Sequence, residues 1–264
     1  MIQPALPFTG LMGYQFLSSN FERQINLFSS QPQIEREVNY FEENIVAVQS
    51  ADDLVGDRRL RHFALDAFGL SEDKDNIFFV KKVLEEGVVD RESFANKLSD
   101  PRYRNISKSF GFGLFAGASR FGENFAEGVV GRFKLARFQS AIFEVDADIG
   151  KVLASESILD DIVSENKSND SRWFSVMGHP PVRSVLESAL GLPKSMAAID
   201  LDQQLSTFKE KSKDIFGTSD VERFLDADIK EVIARRFLLR QALNVSQTTS
   251  SASTALTLLR SSWN

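Results

Sequence analysis

The sequence has no cysteine, only two histidines, two tryptophans and three tyrosines, and seven prolines among its 264 residues. The missing cysteine excludes disulfides, thiolate metal sites and cysteine nucleophiles. The histidines, His62 and His179, form no His-x-x-x-His pair, so a zinc site would need most of its ligands from carboxylates, and no motif supplies them. No apolar run approaches the roughly 20 residues that cross a bilayer. Met1 to Gly13 carries no Lys or Arg before its short apolar stretch, so neither a secretory signal nor membrane insertion is expected. An excess of positive charge is also lacking: 31 basic against 37 acidic residues give a net charge of −6. That balance argues against a general attraction to nucleic acid.

What is abundant is phenylalanine, with 23 residues. Phenylalanine fills a core with rings that need no hydrogen-bond partner. Helical periodicity dominates and strand signals are sparse. Phe16, Leu17, Phe21, Ile25 and Phe28 share one face of a predicted helix from Met12 to Phe28. Pro32 opens another, whose stripe of Ile34, Val38, Phe41, Ile45 and Val48 fits the seam of a helical hairpin with the preceding helix, the favoured reading, or a coiled-coil contact with a partner, for which two heptads are too few.

One pattern occurs twice. Asp57-Arg58-Arg59-Leu60-Arg61-His62 leads into Ala67-Phe68-Gly69-Leu70, and His179-Pro180-Pro181-Val182-Arg183 leads into Ala189-Leu190-Gly191-Leu192. In each case the glycine predicts a left-handed helix end with the leucine folded back on it. Amphipathic stretches follow, closing on Tyr103, Ile106 and Phe110 in one copy and Ile229, Ile233 and Phe237 in the other. Ser50 with Asp53, Asp57, Asp90, Asp100 before Pro101, Asp200 with Gln203, and Ser219 with Glu222 predict helix starts. The expectation is an all-α, multihelical protein with internal duplication of a four-to-five-helix unit. Its parts are an N-terminal helix (1–30), a first unit (31–110), a Gly/Phe-rich connector (111–131), a second unit with a connecting helix (132–243), and a flexible Ser/Thr-rich tail (244–264).

Two stretches break the helical grammar. The connector interleaves Phe112, Phe115, Phe121 and Phe125 with glycines, and those rings need burial against the body or a partner. The Ser/Thr-rich tail ends in Leu256, Leu259 and Trp263, an apolar hook. These seven residues are the candidate partner-binding set.

Chemical motifs are weak. Gly111-x-Gly113-x-x-x-Gly117 is one residue too long for a dinucleotide loop and lacks the preceding strand. No Gly-Lys-Ser or Gly-Lys-Thr exists, so there is no P-loop. Asp146-x-Asp148-x-Gly150 lacks the spacing of a calcium loop. Gly117-Ala118-Ser119-Arg120-Phe121-Gly122 misses the nucleophile elbow. No catalytic residue, cofactor or metal ligand is expected. The basic clusters Arg58, Arg59, Arg61 and Arg235, Arg236, Arg240 are expected to pair with the chain's own acids.

The runs Asn39-Tyr40-Phe41-Glu42-Glu43-Asn44-Ile45, Ala51-Asp52-Asp53-Leu54, Asp57-Arg58-Arg59-Leu60, Val83-Leu84-Glu85-Glu86-Gly87 and Ala95-Asn96-Lys97-Leu98-Ser99-Asp100-Pro101-Arg102-Tyr103 carry a resemblance. So do Trp173-Phe174-Ser175-Val176-Met177-Gly178 and Asp200-Leu201-Asp202-Gln203-Gln204. Together they resemble an alphaproteobacterial all-helical domain family of unknown function, often encoded near flagellar genes. The resemblance covers about Gly10 to Leu243 and implies no catalytic residues. The resulting expectation is a non-enzymatic structural or assembly protein of the bacterial flagellum, with protein partners, cytoplasmic or flagellum-associated. The alternatives are a cytoplasmic helical chaperone or regulator, and a helical enzyme. The enzyme requires a polar cleft holding His62 or His179 beside carboxylates.

Overall fold

A computed structural model describes residues 4–98, 100–112, 124–166 and 168–261. Among them lie fourteen α-helices and three short 3-10 segments, and no strand. The chain divides into two compact units: Met1–Ala5 with Asn20–Ala141, and Leu6–Ser19 with Ile142–Asn264. The division therefore falls within a helix rather than in the Gly/Phe-rich segment, and the N-terminal helical region is split between the units.

Helix α1 (Gly10–Ser19) belongs to the second unit, whereas α2 (Phe21–Ser29) belongs to the first. The single helix predicted over Met12–Phe28 breaks at Asn20, whose φ of −127° and ψ of 16° are not helical. The first unit continues through α3 (Pro32–Ile45), α4 (Ala51–Gly56), α5 (Arg58–Ala67), α6 (Ile77–Glu86), α7 (Phe94–Lys97), α8 (Pro101–Phe110) and most of α9 (Phe125–Val145). Ser50 and Asp53 form a reciprocal capping box on α4. Asp57 Oδ1 accepts from the backbone N–H of Arg59 (2.8 Å) and Leu60 (3.0 Å), and so starts α5. The α3 stripe is buried as its spacing predicts. Its main neighbour, however, is α5 rather than α2. The cause is aromatic: Phe63 of α5 is stacked between Phe41 (4.3 Å between centroids) and Phe133 of α9 (3.9 Å). A hairpin with α2 would forgo that stack. Asp90 bonds the Glu92 N–H, but α7 begins only at Phe94.

The second unit contains α10 (Ala147–Glu165), α11 (Asn169–Gly178), α12 (Pro180–Leu190), α13 (Leu201–Phe216) and α14 (Ala227–Ser261). Helix α10 starts at an extended Asp146 that caps it through the N–H groups of Asp148 and Ile149. Asp146 also accepts from the Gly10 N–H at 2.8 Å, which fixes the start of α1. Trp173 is fully buried between Phe208 (5.7 Å) and Phe224 (5.5 Å). Its indole N–H donates to the Ser219 carbonyl at 2.8 Å. Asp200 caps α13 through the Asp202 N–H, and Asp220 rather than Ser219 caps the 3-10 segment Val221–Leu225. Helix α14 runs through the stretch expected to be a flexible tail. Ala252, Ala255, Leu256, Leu258 and Leu259 favour helix enough to offset the Ser and Thr residues, whose propensity deficit is below about 0.7 kcal/mol each.

Candidate functional site

The first unit contains a cleft of about 370 Å³ lined by Glu37, Tyr40, Arg58, Arg59, His62, Phe63, Asp66, Lys74 and Arg137. Helix α5 builds most of it. Arg58, His62 and Asp66 recur every fourth residue, which places them along one helix face. Phe63 ties that helix into the aromatic stack. Tyr40 of α3 donates to Asp57 Oδ2 at 2.5 Å, joining α3 to the first turn of α5. The Arg59 guanidinium carbon lies 3.5 Å from the Tyr40 ring centroid. That arrangement is a cation–π contact that holds the arginine over the ring.

The carboxylates of the site are committed. Asp66 is buried; it accepts from Ser71 Oγ (2.5 Å) and pairs with Lys74 Nζ (2.6 Å), with Arg137 at 3.9 Å. Burial raises the Asp57 carboxyl, but the bonds from Tyr40, Leu60 N–H and Arg59 N–H, with the Arg59 charge, outweigh it and hold the group below the usual carboxylate range. The same contact raises the Tyr40 phenol, through its hydrogen bond to Asp57 first and burial second.

His62 sits in a positive field. Burial lowers its pKa, and Lys74, Arg61 and Arg58 lower it further against the opposing pull of Asp66. Its Nε2 is buried and meets no hydrogen-bond partner among the described residues. No hydrogen bond joins His62 to Asp66 among those residues. Arg61 turns away from the acids: its Nε donates to the Lys74 carbonyl at 3.0 Å, and its Nη1 donates to the Val55 carbonyl. Arg236 likewise donates to the Ala189 carbonyl at 2.7 Å. The basic clusters thus serve carbonyl groups more than the acids expected from sequence.

His179 has a different setting. Its Nδ1 is 2.6 Å from the Ser175 carbonyl, so that nitrogen carries the proton and closes the end of α11. Among the described residues, no three His, Asp or Glu side chains converge as metal ligands. No described helix is long and apolar enough to cross a membrane.

Of the candidate partner-binding residues, Phe112 and Phe125 come together on Phe110. Phe112 stacks at 5.8 Å and Phe125 meets it edge-on at 5.2 Å. Phe110 is itself buried, so these two half-buried rings extend the first unit's core. Phe115, Phe121 and Trp263 lie outside the described residues, as do the side chains of Leu256 and Leu259, whose backbone is part of α14. Sequence reading did not assemble the cleft, although the four-residue spacing of Arg58, His62 and Asp66 was a usable signal. It also missed Phe78, which is 88 % exposed on the first turn of α6.

The crystal structure of protein AGR_C_984 from Agrobacterium tumefaciens is similar to this chain, with a TM-score of 0.72 and 26 % sequence identity over 88 % of this chain and 93 % of that one. No curated protein matches. The family described as "Protein of unknown function (DUF1217)" matches residues 67–229, more than half of the sequence, and the chain belongs to that family.

Proposed function

We propose that the protein is a non-enzymatic structural or assembly component associated with the bacterial flagellum, acting through protein–protein contacts. The observation that supports contact formation is Phe78. Helix α6 is anchored by buried Val80, Val83 and Leu84, and Ser107 Oγ donates to the Val83 carbonyl at 2.8 Å. The adjacent Phe79 packs edge-on against Phe94 (5.4 Å) and Tyr103 (5.1 Å). Phe78 is therefore held out by a fixed helix beside half-exposed Ile77. Rigid aromatic anchors of this kind dominate protein interfaces. The flagellar part of the proposal rests on the sequence resemblance. The sequence-predicted hook of Leu256, Leu259 and Trp263 and the connector residues Phe112, Phe115, Phe121 and Phe125 complete the proposed contact set.

Affinity capture from the host tests this reading with the parent chain, Phe78→Ser and a chain truncated at residue 245. Loss of about 2 kcal/mol of partner affinity in Phe78→Ser, with cooperative unfolding retained, is the expected result. Equal partner recovery from all three chains rules out both surfaces.

One observation favours a second reading, a helical enzyme: the cleft does place His62 beside a carboxylate. A hydrolase and isomerase activity screen comparing the parent with His62→Ala tests it; turnover abolished by that substitution would replace the non-enzymatic reading.

The internal duplication belongs to the same set of proposals. Its support is local: Leu70 N–H bonds the Leu65 carbonyl and Leu192 N–H bonds the Glu187 carbonyl, both at 2.8 Å, across left-handed Gly69 (φ 69°) and Gly191 (φ 74°). Superposing residues 57–110 on 179–243 would test whether the likeness extends beyond the helix ends.

A further inference from the structure

We infer that the cleft on α5 binds a small phosphate-bearing molecule, gripped by Arg58 and Arg59 beside His62. Three observations carry this, independently of the proposed protein contacts. The charge of the lining is positive: Arg58, Arg59, Lys74 and Arg137 face only Glu37 and Asp66. Of the nearby acids, Asp66 is taken by Lys74 and Ser71. Asp57 accepts from Tyr40 and the α5 backbone while its charge still acts on Arg59. Glu37 is the remaining lining acid, so the lining stays net positive. Arg58 forms no ion pair among the described residues, and Arg59 is positioned over Tyr40 with one nitrogen on the Arg36 carbonyl (3.3 Å). Guanidinium forks held in this way match the paired oxygens of a phosphate.

The second observation is volume. At about 370 Å³ the cleft falls in the range of sites that enclose small ligands rather than flat macromolecular surfaces. The third is its mixed lining: Phe63 and Tyr40 give an apolar wall beside the charges, as an organic phosphate requires. The His62 pKa is lowered by burial first, and the further lowering by Lys74, Arg61 and Arg58 reflects the positive field at the cleft.

The chain's two histidines make the test direct, since His179 serves as an internal control. Full-length protein carrying isotope-labelled histidine is titrated with inorganic phosphate at constant ionic strength, with chloride in parallel. A saturable shift of the His62 ring signals with phosphate, no such shift with chloride, and unmoved His179 signals are expected. Arg58→Gln, made on an exposed side chain, should weaken phosphate binding about tenfold. Arg59→Gln provides a second variant, and Arg223→Gln in the second unit should change nothing. Glycerol phosphate and phosphatidic-acid vesicles separate a free ligand from a lipid headgroup. A His62 shift with the free monoester supports the inference; a response to vesicles alone overturns the small-ligand assignment. Identical His62 behaviour in phosphate and chloride, or undiminished binding by both α5 arginine variants, overturns the site itself.

Discussion

At the scale of single residues, the second unit contains an acid in an adverse setting. Glu156 accepts from the Tyr14 hydroxyl at 3.0 Å. Burial raises its pKa and the Asp160 charge adds to this, while the Tyr14 bond and Lys230 only partly compensate. Because the folded pKa lies above the unfolded one, the folded state binds the proton more tightly. The stabilising contribution is fully present below the unfolded pKa and is lost as pH rises through the folded pKa. Glu156→Gln keeps an acceptor for Tyr14 and removes the charge. Thermal unfolding of the variant should therefore show a higher Tm than the parent at pH 8, with the gap closing toward pH 4. A gap that is constant across this range would mean that the titration of Glu156 is not the cause.

At the scale of elements, helix ends are where local chemistry decides the structure. Gly191 holds φ of 74°, and a Cβ there would approach Arg240 Nη2 to 2.5 Å. The left-handed backbone opposes a side chain, whereas the exposed end of Arg240 can swing aside. Gly191→Ala should lower stability by about 1–2 kcal/mol, measured by urea unfolding with the Trp173 fluorescence as probe. An unchanged midpoint would show that the end of α12 does not need its αL glycine. These ends were legible in the sequence because Asp57, Asp100 before Pro101, Gly69, Gly191 and Gly217 act on neighbours one to four residues away. The α3 stripe was legible too, since its period needs no knowledge of the partner. What could not be read was the partner. Nothing local to α3 says that Phe41 meets Phe63 rather than a residue of α2. The break at Asn20 was hidden because apolar periodicity continues across it. The cleft was partly legible: the spacing on α5 aligns Arg58, His62 and Asp66, whereas Glu37, Lys74 and Arg137 reach the same place only through tertiary packing.

At the scale of the whole molecule, two helical units each carry their own aromatic core, the Phe41–Phe63–Phe133 stack in one and Trp173 with Phe208 and Phe224 in the other. The abundance of phenylalanine is thereby explained, because these rings are packed without needing polar partners. Family membership and the similarity to the Agrobacterium protein concern fold and ancestry; the proposed role depends on what the molecule meets in the cell. Quantitative mass spectrometry of the protein in cytosol, purified hooks and basal bodies, and culture supernatant of its host, with swimming of a deletion strain scored in parallel, tests that role most directly. Enrichment with flagellar structures and loss of swimming on deletion are the expected results. A protein confined to cytosol in a strain that swims normally without it would rule out the flagellar role.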